Sequence, residues 1–442
     1  MTIPMDAGAA ELLHALHAAG HAAYVVGGCV RDSLLGLTPH DWDLCTSALP
    51  QQVMELFGAQ RCIPTGLQHG TVTVKQSGAL YEITTFRTEG TYTDGRHPDE
   101  VHFVPDVRED LARRDLTINA MAYNEKEGLV DPFGGQADLQ SGIVRAVGVP
   151  RQRFTEDALR ILRLYRFAAR FGFAIDPPTA QAAQELCAHL DCVSVERIEE
   201  ELAKLLSAPA PAAYLDKKIL LVILPELSSE ALAAAKPVVD ACPAGAENLP
   251  IRLAALLLSL GEDGIRRTLR RLRCSNACIE ETAVLVREAV PGVPGAFSSD
   301  TNRAIPSPAL LPAATGSHPS GRSSEKLPAR PPVSLNIYTR KLLGQYGLKT
   351  VQRLAALGTA LQPEHAADFA ALSELAERLD ADGVCCRISQ LAVNGRDLMA
   401  AGVPAGPGIR KVLEALLDGV IREEYPNERQ ALLAAVQQLA AS

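Results

Sequence analysis

The amino-acid sequence predicts an α+β protein with a mixed N-terminal region and an entirely helical remainder. Two alternating apolar segments at residues 71–74 and 80–85 flank Ser77 and Gly78, which is the pattern of a β-hairpin. Beyond residue 150, apolar residues recur every three or four positions, as they do on amphipathic helices. The chain has 442 residues, which is long for a single hydrophobic core, so we expect several domains.

The N-terminal region is predicted to alternate between short helices and short strands. Residues 9–20 have helical periodicity. Residues 22–26 are an apolar run that ends at Gly27 and Gly28, as a strand entering a tight turn does. Further short helical segments precede the hairpin. We therefore assign residues 1–150 to one mixed α/β domain.

The rest of the chain divides by periodicity and composition. Clear helical periodicity over residues 156–171 and 195–206 indicates long helices. A later segment is rich in Pro, Ser and Gly and has few apolar clusters, so it is interpreted as a flexible insertion. The predicted divisions are a helical domain at 151–210, a second at 211–290, the insertion at 291–335 and a last helical domain at 336–442.

Composition excludes several classes of protein. The formal net charge of −9 argues against a globally basic nucleic-acid coat, although local clusters of arginine can still bind phosphate. The ten cysteines form no C-x-x-C pair and no zinc spacing, which predicts reduced thiols in the cytoplasm. The sequence has no run of about 18 apolar residues, so no membrane span is expected. Asp6 and Glu11 make a secretory signal unexpected.

The first chemical feature is the sequence Asp41-Trp42-Asp43. Along extended backbone, residues i and i+2 share a face, so the two carboxylates point the same way and Trp42 points to the other side. Like charges this close favour a bound cation, and Mg²⁺ takes carboxylate oxygens together with substrate phosphates. The tripeptide alone is also compatible with a solvated turn. Its neighbours decide between these interpretations.

Two further features lie near this pair in sequence. Gly27 and Gly28 precede a helical segment, where backbone amides can approach a phosphate, and Arg31 adds positive charge. Glu82 is an acidic residue within an otherwise apolar and β-branched strand. It is either an outward-facing strand residue or a third carboxylate that completes a metal site or serves as general base.

Arginines are concentrated between residues 145 and 170. This stretch contains seven arginines and only two acidic residues, Glu156 and Asp157. Four of these arginines recur every three or four positions and therefore share one helix face. Such a stripe suits a triphosphate, because guanidinium groups form paired bonds to phosphate oxygens, but it is also compatible with a salt-bridged helix. The four residues are Arg160, Arg163, Arg166 and Arg170.

Several motifs in one order resemble a known family, the class II tRNA nucleotidyltransferases (CCA-adding enzymes) and bacterial poly(A) polymerases, whose head is polymerase-β-like. The first motif combines the glycine turn, Arg31 and the Asp41–Asp43 pair. The second, at residues 113–122, contains Arg114, Asp115 and Asn119. A third, at residues 156–160, resembles the nucleotide-selecting motif, and residues 194–206 resemble the following neck helix. The resemblance covers about residues 15–210 and resumes at residues 391–407.

The resemblance implies a fold, an activity and a set of site residues. It implies a catalytic head, then a helical neck, body and tail that bind tRNA, and template-independent addition of CMP, CMP and AMP from CTP and ATP with Mg²⁺. Asp41, Asp43 and Glu82 would be catalytic, and the first two would bind the metal. The implied nucleotide contacts are Gly28, Arg31, Arg114, Asp115, Asn119, Asp157, Arg160, Arg163 and Arg166. In the resembling enzymes a flexible loop at the position of residues 87–100 is needed for the final AMP.

Asp157 and Arg160, at positions i and i+3, are predicted to be neighbours on one helix and could together choose both C and A without a template. Cytosine and adenine each offer an amino donor beside a ring-nitrogen acceptor, which Asp157 and Arg160 can match. Uracil and guanine present a carbonyl oxygen in place of the amino group and an N–H in place of the ring-nitrogen acceptor. The carbonyl would repel the Asp157 carboxylate, and the N–H could not accept a hydrogen bond from Arg160. The alternative interpretation is an ordinary ion pair on a helix.

Three other functions are compatible with parts of the sequence. A poly(A) polymerase shares the head motifs, but its tail is usually strongly basic and this tail is not. A non-catalytic RNA-binding relative would not need Asp41, Asp43 and Glu82. A nucleotidyltransferase of small molecules would not need the long helical part or the five arginines between residues 266 and 273, which are either tRNA contacts or a solvated helix face.

Overall fold

The computed structural model describes residues 2–90, 101–289 and 335–441, and the described chain forms two compact units. The first unit contains residues 1–229 together with 244–246 and 271–274, and the second contains residues 230–243, 247–270 and 275–442. The predicted loop tip at 91–100 and nearly all of the predicted insertion, residues 291–334, lie outside the described residues.

The first unit contains a mixed sheet whose described strands run in the order β3-β4-β5-β2-β1-β8-β9. Two small additional sheets pair β6 with β7 and β10 with β11. The predicted mixed α/β head is thereby confirmed. The strands are β1 (Ala23–Val26), β2 (Leu44–Thr46), β3 (Cys62–Gly66), β4 (Thr71–Gln76), β5 (Ala79–Thr85), β6 (Arg87–Glu89), β7 (Val101–Phe103), β8 (Ala122–Asn124), β9 (Gly128–Val130), β10 (Ile143–Val144) and β11 (Ala174–Ile175).

The predicted hairpin is formed by β4 and β5, which pair antiparallel with Gln76 opposite Ala79. Its two-residue turn has φ of 50° at Ser77 and 86° at Gly78. Positive φ at both central positions gives a turn whose twist matches that of the flanking strands. On its other edge β5 pairs parallel with β2, and this register later places the acidic residues side by side.

Helices of the first unit pack on the sheet and then continue the chain beyond it. The order is α1 (Ala7–Ala18), α2 (Gly28–Leu34), α3 (Pro50–Phe57), α4 (Val107–Ala112), α5 (Gly135–Ser141), α6 (Pro150–Glu156), α7 (Leu159–Phe171), α8 (Pro177–Leu186), α9 (Val195–Leu206) and α10 (Lys217–Ile223). One buried cluster under the sheet includes Tyr24, Phe86, Leu111 and Val147.

Two details differ from the prediction. The single helix expected over residues 156–171 is divided into α6 and α7, because Asp157 adopts extended backbone with φ of −146° and ψ of 106°. The segment expected to be all-helical also contributes a short strand, β11. Gly172 ends α7 in the left-handed region, and the chain then returns alongside β10.

The described residues of the second unit are helical. Its elements are α11 (Ser229–Ala241), α12 (Leu249–Leu257), α13 (Gly261–Arg271), α14 (Asn276–Ala289), α15 (Leu335–Tyr346), α16 (Leu348–Leu361), α17 (Ala366–Ala381), α18 (Gly395–Ala400), α19 (Pro407–Ile421) and α20 (Arg429–Ala441), of which α11 and α13 each have one terminal residue in the first unit. A core near the C-terminus includes Leu398, Leu416 and Leu432. Across the described chain, none of the helices is long and apolar enough to cross a membrane.

Candidate active site

The acidic pair lies on extended backbone directly before β2. The carbonyl of Asp43 accepts the N–H of Val26 at 2.9 Å, which continues the pairing of β2 with β1 by one residue. Asp41 and Asp43 are exposed, whereas Trp42 between them is half-buried. This exposure follows the predicted alternation, in which the two carboxylates share a face and Trp42 points to the other side.

Strand register places Glu82 beside this pair. Leu44 of β2 lies opposite Ile83 of the parallel strand β5, and both are buried. The residue before each, Asp43 and Glu82, therefore faces the opposite, exposed side. Surrounding protein atoms raise the pKa of the Asp43 carboxyl, and the negative charges of Glu82 and Asp41 raise it further against the opposing charge of Arg114.

This donor set fits a divalent cation that is also held by substrate. Crowded carboxylates favour a cation, and Mg²⁺ commonly takes one or two protein carboxylates together with phosphate oxygens. Within the described residues, no three His, Cys, Asp or Glu side chains converge as a cluster that could enclose a metal on its own. Asp41 and Asp43 could thus hold Mg²⁺ only with ligands from substrate and water.

The glycine turn lies next to the acidic pair. Gly27 has φ of 77° and precedes Gly28, the first residue of α2. A Cβ at Gly27 would lie 2.9 Å from Nη1 of Arg114, so the turn also depends on the absence of a side chain. Nη2 of Arg114 lies 3.5 Å from the buried carboxylate of Asp110, and no hydrogen-bond partner in the described chain reaches its Nε.

Arg31 was expected to contact nucleotide, but the structure surrounds it with protein. Its Nε donates to Asp32 at 2.7 Å, and its Nη1 donates to the side-chain oxygen of Asn119 at 2.5 Å. The guanidinium carbon lies 5.0 Å and 5.1 Å from the ring centres of Phe167 and Phe171 on α7. With 4% of its surface exposed, Arg31 supports Asn119 in this structure and does not project into the site.

The second motif forms a buried chain of hydrogen bonds that reaches α7. The amide of Asn119 donates to Asp115 at 3.2 Å, and Asp115 also accepts from Nε of Arg163 at 2.7 Å. Burial would raise the pKa of the Asp115 carboxyl, but the Arg163 guanidinium outweighs this effect and holds that pKa well below its usual range. Asp115 is therefore a carboxylate whose orientation is fixed from both sides.

The residues predicted to select the nucleotide have different partners from the ones their spacing predicts. Spacing predicts Asp157 and Arg160 as neighbours on one helix, yet Asp157 lies at the break between α6 and α7. Its carboxylate pairs with Arg197 of α9 at 2.7 Å. Arg160 donates to Glu156 at 2.6 Å and to the carbonyl of Arg113 at 3.1 Å. The two side chains are thus held independently of each other.

All four arginines of the predicted stripe are paired with carboxylates. Arg163 pairs with Asp115, Arg166 lies 2.5 Å from Glu201, and Arg170 donates to Asp32 at 3.2 Å. Together with the pairing of Arg160 and Glu156, these contacts make the stripe a salt-bridged face toward the head and α9. Glu201, Asp110 and Arg197 are partners that sequence reasoning had not assigned to the site. Asp110 lies on α4, and Arg197 and Glu201 lie four residues apart on α9, so no local spacing rule relates them to the arginines of α7.

The second arginine cluster, at residues 266–273 on α13 and just after it, is only partly neutralised by carboxylates. Arg266 pairs with Glu262 at 2.9 Å, and Arg271 pairs with Glu226 at 2.7 Å. Arg273 pairs with Glu196. Arg267 and Arg270 are exposed and form no ion pair with any described residue. These two residues are the cluster's candidates for contacts with RNA phosphates.

The loop predicted at residues 87–100 begins with a strand and is followed directly by another, and its residues 91–100 lie outside the described residues. Its first three residues form β6, which pairs with β7 so that Arg87 lies opposite Phe103. This corrects the prediction at Arg87–Glu89, where pairing with a neighbouring strand overrides a polar, loop-like composition. The backbone N–H of Arg87 also donates to Asp110 at 3.3 Å, which ties the base of this hairpin to the helix before Arg114.

Three family models match successive parts of the chain. The "Poly A polymerase head domain" model matches residues 23–145. The model described as "Probable RNA and SrmB- binding site of polymerase A" matches residues 172–230. A model of tRNA nucleotidyltransferase domain 2 matches residues 337–436.

Similar proteins match nearly the whole chain. The CCA-adding enzyme of Limosilactobacillus fermentum is 36% identical over 440 residues, which cover 98% of this chain and 96% of that protein. The CCA-adding enzyme of Geobacillus kaustophilus is 34% identical over 419 residues, covering 94% and 92%. The crystal structure of the Bacillus stearothermophilus CCA-adding enzyme in complex with CTP superposes with a TM-score of 0.78 at 30% identity, covering 99% and 98%.

The two arginines that share Asp32 allow a matched test of the buried network. Replacing Arg31 with Met removes the buried donor to Asp32 and to the side-chain oxygen of Asn119, so the free energy of unfolding should fall by about 3–5 kcal/mol. The same substitution at the half-exposed Arg170 should cost no more than about 1 kcal/mol. Urea unfolding followed by circular dichroism measures both. Equal losses in the two variants would contradict the assignment of Arg31 as a buried support.

Proposed function

The chain belongs to the CCA-adding enzymes, and from this membership we propose how its residues carry out the reaction. The protein adds CMP, CMP and AMP to the 3′ end of tRNA from CTP and ATP and releases pyrophosphate, without a nucleic-acid template. The observation that carries this conclusion is the match to CCA-adding enzymes over nearly the full length, because the match includes the C-terminal part as well as the head. A shared head alone would be equally compatible with a poly(A) polymerase.

A direct experiment tests the activity. The protein is incubated with Mg²⁺, all four nucleoside triphosphates and tRNA lacking its CCA end, and the product ends are sequenced. We expect a limited CCA end on each tRNA. A long tract of A would instead assign the protein to the poly(A) polymerases.

The carboxylates of the head are proposed to act on the reacting groups. The 3′-hydroxyl of the tRNA attacks the α-phosphorus of the nucleotide, its proton leaves, and the bond to pyrophosphate breaks. Enzymes of this type use divalent metal ions. Asp41 and Asp43 would hold Mg²⁺, which supplies positive charge to the attacking and leaving oxygens. Glu82 would accept the hydroxyl proton, and the pairing of Leu44 with Ile83, each one residue later in the chain, supports this role.

The remaining site residues are proposed to hold the nucleotide. The amides after Gly27, beginning with Gly28, face the phosphates, and Arg163 and Arg166 supply positive charge for the triphosphate. Arg114, Asp115 and Asn119 contact the ribose, where a hydroxyl can donate to the fixed Asp115 carboxylate. Arg31 contacts no nucleotide in this proposal and holds the Asn119 side chain through a buried hydrogen bond.

Asp157 and Arg160 are proposed to read the base. The Asp157 carboxylate would accept from an amino group of the base. Arg160, which donates to Glu156 and to the carbonyl of Arg113 in this structure, would exchange a protein partner for a ring nitrogen of the base. Cytosine and adenine both offer this pattern. The same two residues therefore serve the C steps and the A step.

The cellular location and domain roles are also proposed. A cytoplasmic location is supported by the ten cysteines, all of which are free thiols. We propose residues 1–150 as the head, 151–210 as the neck, 211–290 as the body and 336–442 as body and tail, with tRNA held by the helical part. The base of the 87–100 loop, anchored at Asp110, is compatible with a role of that loop in the final A step.

The metal assignment predicts loss of chemistry without loss of tRNA binding. Asp41→Ala or Asp43→Ala should reduce the rate of CMP addition to background, because each removes a carboxylate that no other described group replaces. tRNA affinity, measured by filter binding, should stay within a few-fold of the parent. Glu55→Ala, which removes an exposed carboxylate elsewhere in the head, serves as the control. Turnover near the parental rate in both aspartate variants would exclude them as metal ligands.

The base-reading assignment predicts loss of selectivity in Asp157→Ala. Losing one charge-assisted hydrogen bond costs about 1.5–3 kcal/mol, so the ratio of kcat/KM for CTP over UTP should fall by about ten- to a hundredfold. The ratio for ATP over GTP should fall in parallel. Asp191→Ala, an exposed carboxylate in the same part of the chain, should change neither ratio. Equal slowing of all four nucleotides would show that Asp157 is structural.

If Arg267 and Arg270 of α13 contact tRNA phosphates, replacing them should change the salt dependence of tRNA binding. Each lost phosphate contact should reduce the slope of log affinity against log salt by about 0.9, so Arg267→Ala combined with Arg270→Ala should reduce it by about 1.8. tRNA binding is measured at a series of KCl concentrations. Arg266→Ala should change the slope much less, because Glu262 and Glu280 already neutralise that residue. An unchanged slope in the double variant would remove α13 from the RNA-binding surface.

A further inference from the structure

The carboxylate of Asp110 on α4 is a fully buried partner of the two arginines that follow this helix. With 0% of its surface exposed, it accepts the Nε–H of Arg113 at 2.9 Å and lies 3.5 Å from Nη2 of Arg114. The backbone N–H of Arg87 on β6 also donates to it, at 3.3 Å. Because a buried carboxylate is costly unless donors surround it, these contacts from separate segments fix its position.

The position of Arg114 depends on this carboxylate. Arg114 lies just beyond α4, where helix geometry no longer orients its side chain, and among the described residues Asp110 is the one carboxylate with which it forms an ion pair. Its Nη1 donates to the backbone carbonyl of Asn119 over a long distance, 3.5 Å, and no described group accepts from its buried Nε. Asp110 is therefore the main charged restraint on this guanidinium.

The same guanidinium borders the candidate active site. Its Nη1 would lie only 2.9 Å from a Cβ at Gly27, so it packs directly against the glycine turn. Burial raises the pKa of the Asp43 carboxyl, and the positive charge of Arg114 acts against that rise. The Arg114 side chain is 21% exposed, and each of its terminal nitrogens carries a second hydrogen that these protein contacts do not use. The guanidinium is thus held by protein while it keeps donors for a substrate.

We propose that Asp110 is a positioning residue for ribose selection, which holds the Arg114 guanidinium where it donates to the 2′-hydroxyl oxygen of the incoming nucleotide. A 2′-hydroxyl both donates and accepts, so Asp115 and Arg114 together distinguish a ribonucleotide from a deoxyribonucleotide. Asp110 itself contacts no substrate. The inference rests on the proposed ribose contact of Arg114. If Asp110 served only the packing of α4, its loss would slow both kinds of nucleotide alike.

The test compares CTP with dCTP in the first addition to tRNA lacking its CCA end. Asp110→Asn replaces an acceptor oxygen with an amide nitrogen that cannot accept from Arg114, so the ratio of kcat/KM for CTP over dCTP should fall by about five- to tenfold, while kcat/KM for dCTP changes by less than about threefold. Asp110→Ser removes the same charge without adding a donor that faces Arg114, and tests the proposal if Asp110→Asn does not fold. Asp106→Asn is the matched control. Asp106 is the exposed cap of the same helix, and asparagine caps equally well, so the ratio should stay unchanged.

Variants at Arg114 separate the two possible failures. If Asp110 acts through Arg114, Arg114→Met should lower the ratio at least as far, and Asp110→Asn combined with Arg114→Met should be no less selective than Arg114→Met alone, within about twofold. Parental ratios in both Asp110 variants, with a lowered ratio in Arg114→Met, would overturn this inference and leave the ribose contact intact. A parental ratio in Arg114→Met would overturn both. A further loss in the double variant would overturn the inference, because Asp110 would then act by another route.

Discussion

The buried ionic chain that connects the head to α7 is the constraint on which the candidate site depends. It runs from Asp32 through Arg31 to Asn119 and Asp115, and ends at Arg163 on α7. Charges removed from water are costly unless each is paired, so the members of such a chain hold one another in place. Phe167 and Phe171 enclose the Arg31 guanidinium, with ring centres 6.2 Å apart and nearly parallel planes. The proposed ribose contacts are therefore rigidly placed relative to the proposed triphosphate arginines.

Strand register provides the second constraint. The parallel pairing of β2 with β5 and the antiparallel pairing of β2 with β1 bring three distant segments together in the middle of the sheet. Because the side-chain period in a strand is two, burial of Leu44 and Ile83 requires Asp43 and Glu82 to face solvent on the other side. A shift of β5 by one residue would bury Glu82 and separate the carboxylates. The apolar core thus sets the geometry of the polar site.

Charge balance explains how so many arginines are tolerated on one helix. Each arginine of the α7 stripe faces a carboxylate from the head, the end of α6 or α9, so the region is nearly neutral in this structure. An incoming triphosphate would then compete with Asp115 and Glu201 for Arg163 and Arg166. Under the proposed function, these carboxylates would favour ligands that carry enough negative charge to replace them. On α13, by contrast, Arg267 and Arg270 remain available.

The sequence by itself determined the α+β class, the hairpin at Ser77–Gly78, the α9 helix and the acidic pair with its shared face. These features follow from periodicities of 2 and 3.6 and from turn chemistry, which act over a few residues. Motif order identified the family and its reaction. Tertiary structure alone decided that Arg31 is enclosed by aromatic rings, that Asp157 pairs with Arg197 and not with Arg160, and that Arg87–Glu89 is a strand. Each of these outcomes depends on a partner between 12 and 140 positions away, and no local pattern in the sequence encodes which distant side chain satisfies a buried charge.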